Sequence, residues 1–146
     1  MNDYFKTCKV FEKFSDAERE LLSNSFVKQE LKKGEILFKE NDIGDSVYFI
    51  EAGMIKISKM TGGNENTILA IYKKDDIFGE MALFNIIPRY ANAEALANST
   101  VHFLKKAVFQ SIRESSQKTA LMVMDIILES LALRLRKITD RMYGIY

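Results

Sequence analysis

Between Ser25 and about Lys105, short runs rich in Ile, Val, Phe and Tyr are broken by Gly34, Gly44, Gly53, the Gly62-Gly63 pair and Gly79. Glycine at roughly ten-residue spacing leaves room for short strands and turns but not for long helices. The rhythm therefore predicts a sandwich or barrel of short antiparallel strands. Alternation supports it locally: Ile55 and Ile57 fall on one face with Lys56 and Ser58 on the other, and Val101 and Phe103 oppose His102 and Leu104. Thr61-Gly62-Gly63-Asn64 reads as a hairpin turn.

Helical patterns flank this region. Val10 to Phe14 and Ala17 to Asn24 read as short helices, the second with Ser15 as N-cap and Glu18 at the capping-box position. From about Lys106 the chain is helical again. Leu121, Met124, Leu128, Leu131, Leu135, Ile138 and Met142 form an unbroken a/d seam, a rod of roughly 33 Å at 1.5 Å per residue. One small sheet domain cannot cover so long a stripe, so the seam is expected to meet a second copy of the chain. A second stripe of Met122, Ile126 and Leu133, with Val123 beside it, is expected to pack back on the strands. The alternative is that the whole helix docks on its own domain. Arg134, Arg136, Lys137 and Arg141 suit the negative end of the helix dipole.

A chain of 146 residues with 47% hydrophobic and 28% charged residues is enough for a single domain with a real core. The net charge of +1 and the dispersed lysine pairs leave no basic face for nucleic acid. One cysteine, Cys8, excludes an intrachain disulfide framework and any cysteine-held metal cluster, so no metal site is expected. No apolar run reaches the ~18 residues of a membrane span and no signal peptide is evident, which gives a cytoplasmic expectation. Walker loop, nucleophile elbow and HExxH are all missing, and the lone His102 reads as structural, so no enzyme is expected.

The chemistry concentrates in Phe78 to Ala95, FGEMALFNIIPRYANAEA. Gly79 lets the backbone approach a ligand closely. Glu80, Met81, Ala82 and Leu83 can start a short helix whose free N–H groups favour an anion. Pro88 stiffens the following loop and biases Ile87 to extended geometry. Arg89 can grip two phosphate oxygens at once, whereas Glu80, an acceptor, suits a sugar hydroxyl beside the phosphate. Acid and base on one loop point to a sugar phosphate.

This stretch resembles the phosphate-binding cassette of the cyclic nucleotide-binding domains of CRP-like regulators, cAMP-dependent kinase regulatory subunits and gated channels. Phe78, Gly79, Glu80, Met81, Ala82, Leu83, Pro88, Arg89 and Ala91 fall on its pattern in order, and Gly44, Asp45, Tyr48, Ile50 and Gly53 fit the family's earlier strands. Tyr90 and Asn92 depart from it, in positions that lie near the ligand in the family. The resemblance implies an α+β fold: an antiparallel double-stranded β-helix, or jelly-roll-like β-roll, flanked by short N-terminal helices and a long C-terminal helix. It implies one domain over residues 1–146, with helices in 1–24, the roll in 25–105 with its cassette at 78–95, and C-terminal helices in 106–143. Its implied ligand is cAMP or cGMP, with Arg89 on the equatorial phosphate oxygen, Glu80 on the ribose 2′-OH, and Gly79, Met81, Ala82, Leu83, Tyr90 and Ala91 around them. In the family the C-terminal helix is the mobile part and pairs in parallel; here the lid would start near Ser116 to Thr119. Two other readings stand beside this one: the sensory part of a CRP-like transcription factor, or a β-roll dimerisation module that binds no nucleotide. The chain stops at Tyr146, short of a helix-turn-helix, so no direct DNA binding is expected and the Gly-Ile-Tyr tail reads as the end of a small protein.

Overall fold

The computed structural model describes residues 1–84 and 88–144, so the extended geometry expected of Ile87 and the Ile-Tyr tail lie outside the described residues. The chain opens with α1 (Asp3–Thr7), capped by the Asn2 side chain, which accepts from the Tyr4 N–H. Sequence patterning gave no sign of this five-residue helix. Where a helix was expected over Val10 to Phe14, the chain makes only a 3₁₀ turn, Lys9–Phe11. The next helix, α2 (Asp16–Ser25), starts at Ser15 as expected, with both halves of the capping box formed to Glu18.

Among the described residues eight strands follow: β1 (Val27–Leu31), β2 (Ile36–Phe38), β3 (Ser46–Ala52), β4 (Met54–Thr61), β5 (Glu65–Lys73), β6 (Ile77–Phe78), β7 (Asn92–Ala95) and β8 (Ser99–Lys105). They make two antiparallel four-stranded sheets, β1-β8-β3-β6 and β2-β7-β4-β5. The chain ends in α3 (Lys106–Ser115) and α4 (Gln117–Met142), which break at Ser116. This is the α+β fold expected, an antiparallel β-roll between short N-terminal helices and a long C-terminal one.

At the centre of the first sheet β3 and β8 are buried on both faces, so β3 reads as a nearly continuous apolar run. Ile50, Phe78 and Val101 point into the roll with Ile55, Ala93 and Ala95 of the second sheet. On the other face, Val47, Phe49, Ile77 and Leu104 meet the helices through Phe5, Phe11, Leu22, Phe109, Val123 and Ile127. Each such side chain contributes about 1.5–3 kcal/mol relative to exposure. His102 lies in this second core, stacked on Tyr4 at 4.3 Å and within 3.0 Å of Glu51; burial pushes its pKa below the ordinary histidine value. Cys8 sits at the edge of the same core and donates from Sγ to Asp75 at 3.4 Å.

The second sheet keeps its alternation. Ile55 and Ile57 lie opposite Ala95 and Ala93, while Lys56 turns out to Glu94 at 2.8 Å; Ser58 is nevertheless buried. The predicted hairpin joins β4 to β5, with Gly63 and Asn64 both at positive φ.

The inward face of α4 differs from expectation. Thr119, Ala120, Val123 and Ile127 are its buried residues, and Met122 and Ile126 pack partly against the helical core. Leu133, expected to pack back, is exposed. The a/d seam is split: Met124 and Leu131 pack partly on their own domain, whereas Leu121, Leu128, Leu135, Ile138 and Met142 are exposed. No helix among the described residues is long and apolar enough to cross a membrane.

Candidate functional site

The open end of the roll holds a cavity of about 440 Å³. Gly79, Glu80, Met81, Ala82, Arg89, Tyr90 and Ala91, all singled out from sequence, line it. Leu83 does not: its side chain belongs to the core under the helices. Phe38, Ile57, Tyr72 and Phe78 form an apolar wall, and Arg134 reaches in from α4.

The cassette turns at Gly79, whose φ of +74° is in the left-handed region, into a 3₁₀ turn over Glu80–Leu83. The Ala82 N–H, expected to be free, makes only a long bond of 3.3 Å to the Gly79 carbonyl. Arg89 is 8% exposed. Its Nη1 donates to the Gly79 carbonyl at 3.1 Å and its Nη2 to the Ser46 carbonyl at 2.9 Å. The guanidinium lies 4.2 Å from the centre of the Phe38 ring, and its buried Nε has no partner among the described residues. Burial pulls its pKa below the usual arginine value, against the pull of Tyr48, Asp45 and Glu80. A guanidinium nonetheless stays charged at any physiological pH. No carboxylate is within bonding reach of Arg89 among the described residues.

Glu80 is also buried, at 6% exposure. Its Oε1 accepts from Arg134 Nη1 at 3.0 Å. The other arm of Arg134 donates to the Ile77 carbonyl, and the guanidinium stacks 4.8 Å above the Tyr72 ring. Arg134, which the sequence assigned to the helix dipole, is thus a cavity residue that sequence reasoning missed. The periodicity of α4 could have flagged it, since Arg134 continues the inward row of Ala120, Val123 and Ile127. The two guanidinium groups outnumber the single carboxylate in the cavity, leaving a surplus positive charge lined by hydrocarbon. Such a site favours a small monoanion with an apolar part.

Of the two departures noted in the sequence, Tyr90 is at the rim and 67% exposed. Asn92 is not part of the lining; its Oδ1 accepts the Glu40 N–H at 2.8 Å.

Gly44 faces the same arginine. A Cβ there would lie 2.5 Å from Arg89 Nε and 2.7 Å from Cζ, so Gly44→Ala must push the guanidinium off its seat while leaving the cavity charge unchanged. If Arg89 holds a ligand, this variant is expected to lose about tenfold in affinity (~1.4 kcal/mol). A fluorescence competition titration measures it, and unchanged affinity would show that the seat of Arg89 is irrelevant.

The cyclic nucleotide-binding domain family matches residues 28–116, more than half of the chain, and the chain belongs to that family. A cAMP-dependent protein kinase regulatory subunit of Debaryomyces hansenii is 36% identical over 110 residues, covering 75% of this chain and 24% of that protein. The chain spans about a quarter of the length of the first such relatives. Among solved structures, a cyclic nucleotide-binding domain from Methylobacillus flagellatus superposes with a TM-score of 0.85 at 22% identity, covering 97% of this chain and 80% of that one. A cAMP-bound PfPKA-R fragment gives 0.62 at 32% identity, over 70% and 36% of the two chains.

Proposed function

We propose that this chain is a sensor that binds a cyclic nucleotide, cAMP or cGMP, in the cavity and signals through α4. The observation that carries the reading is the buried Arg89, whose Nε has no partner and whose guanidinium is reached by no carboxylate among the described residues. A cyclic phosphodiester supplies one negative charge, and each charge-assisted bond to it contributes about 1.5–3 kcal/mol. Arg89 takes the phosphate, helped by the backbone of Gly79, Met81, Ala82 and Leu83, with Ala91 and Tyr90 at its edge. Glu80, held by Arg134, accepts the ribose 2′-OH on its second oxygen. The apolar wall takes the base. Binding rather than catalysis is the work of the site.

Arg134 ties that sugar contact to α4, so ligand and helix position are linked whenever one arrangement of the helix binds better. The exposed row of Leu121, Leu128, Leu135, Ile138 and Met142, with Met124 and Leu131 at its margin, is the surface through which two copies pair. The three sequence segments, 1–24, 25–105 and 106–143, then act as one unit in the cytoplasm, and the downstream protein reads the state of α4.

Thermal unfolding in the presence of cAMP, cGMP and their 2′-deoxy forms tests the reading. At 100 times the dissociation constant the ligand is expected to stabilise the fold by ~2.7 kcal/mol, with the deoxy forms at least tenfold weaker because Glu80 loses its donor. A second reading, a roll that binds no nucleotide, draws on the two backbone carbonyls that Arg89 already holds. It predicts no shift with any cyclic nucleotide at millimolar concentration.

A further inference from the structure

The two residues that depart from the family pattern share one network. Lys59 of β4 gathers three contacts at one ammonium group. Its Nζ donates to the Tyr90 carbonyl at 3.1 Å, lies 3.4 Å from the Glu40 carboxylate, and sits 3.6 Å from the centre of the Tyr90 ring. Asn92 closes the loop by accepting the Glu40 N–H at 2.8 Å. Between these anchors lies Arg89, whose own N–H donates to the Asp42 carbonyl at 2.6 Å and whose carbonyl accepts the Asn41 N–H at 2.8 Å. The side chain of Lys59 is 26% exposed and that of Glu40 25%, so the pair is half sheltered from solvent screening.

We propose that Lys59 is a positioning residue for Arg89, and that Tyr90 and Asn92 are the parts of this chain that make the positioning possible. Lys59 does not line the cavity, so it touches no ligand there. It fixes the backbone after Arg89 to the neighbouring strand, which reduces the ordering needed when an anion binds. Tyr90 at the rim supplies a ring for the ammonium to rest on, a contact a small side chain cannot make. Glu40 neutralises the lysine at the surface, so the staple adds no net charge beside the phosphate seat.

The inference rests on the nucleotide reading above, and two readouts separate their failures. Lys59→Met keeps the aliphatic stem and removes every donor. In hydrogen exchange on the full chain, the Arg89 and Asn41 amides of this variant are expected to exchange about tenfold faster than in the wild type. In titrations its affinity is expected to fall about tenfold for cAMP and cGMP alike, because the staple acts on the phosphate end that both share. Lys28→Met, at an exposed lysine of β1 outside the cavity lining, should behave as the wild type. Unchanged exchange in Lys59→Met overturns the proposal whether or not a nucleotide binds. So does an affinity loss confined to one base, which would place the lysine at the base instead. A wild-type chain that binds neither nucleotide sinks the ligand reading, and exchange alone then decides whether the staple orders the loop.

Discussion

Arg89→Ala is expected to weaken cyclic nucleotide binding by ~3 kcal/mol or more, over a hundredfold. The magnitude follows from what the side chain does in the cavity. It is buried and stacked on Phe38, and among the described residues no carboxylate pairs with it, whereas Arg134 answers Glu80. Without it, the Arg134–Glu80 pair leaves the cavity with no net positive charge to meet a phosphodiester, and the desolvation cost goes uncompensated. The same substitution strips the Gly79 and Ser46 carbonyls of their donors, so some loss of stability accompanies it. Arg89→Lys separates the two effects: it keeps the charge but cannot reach two diverging acceptors with one planar fork. Calorimetry on both variants, with circular dichroism to confirm that they fold, gives the comparison. An alanine variant that binds within threefold of wild type would remove Arg89 from the phosphate role.

Gly53→Ala is expected to be the most damaging single-methyl change in the fold, costing about 3 kcal/mol or more and lowering Tm by roughly 10 °C. Gly53 joins β3 to β4 at φ +96°, where a side chain is strained by about 1–2 kcal/mol. Its Cβ would also lie 2.1 Å from Ser99 Oγ and 2.6 Å from Ser99 Cα. A hydroxyl can rotate away, but the Cα of β8 cannot, because β8 is held between β1 and β3. Relief by moving Ser99 would break the bond from the Met54 N–H to its Oγ, 3.1 Å long. Gly62 is the control: nothing lies within 4 Å of a Cβ there and its φ is not in the left-handed region, so Gly62→Ala should stay within ~0.5 kcal/mol of wild type. Equal melting temperatures for the two variants would show that the tight β3–β4 turn does not constrain the roll.

What the sequence revealed and what it hid divide along the range of the interactions. The capping box at Ser15 and Glu18, the hairpin at Gly63 and Asn64, and the glycine-punctuated strands are local signals, and each is found in the fold. The cassette residues converge because they are near one another in the chain. Arg134 and Glu80 are 54 positions apart, so although the row of Ala120, Val123 and Ile127 puts Arg134 on the inward face of α4, nothing local to either residue names the other as its partner. The inward face of α4 was misplaced for a related reason. Its first half carries Leu121, Met122, Val123, Met124, Ile126 and Ile127 on nearly every side, so a helical period cannot choose among them, and α2 and α3 make the choice by where they pack. Helix α1 is too short for a period to register at all. Lys59 carries no signal of its own in the sequence, and the approach of Tyr90 to β4 gives it a place.

Isothermal titration of the unmodified chain with cAMP and with cGMP tests the central claim most directly. The account predicts saturable heat at one site per chain for at least one of them, lost in Arg89→Ala under the same conditions. Flat titrations with both nucleotides up to millimolar concentration, from protein shown to be folded, would contradict it.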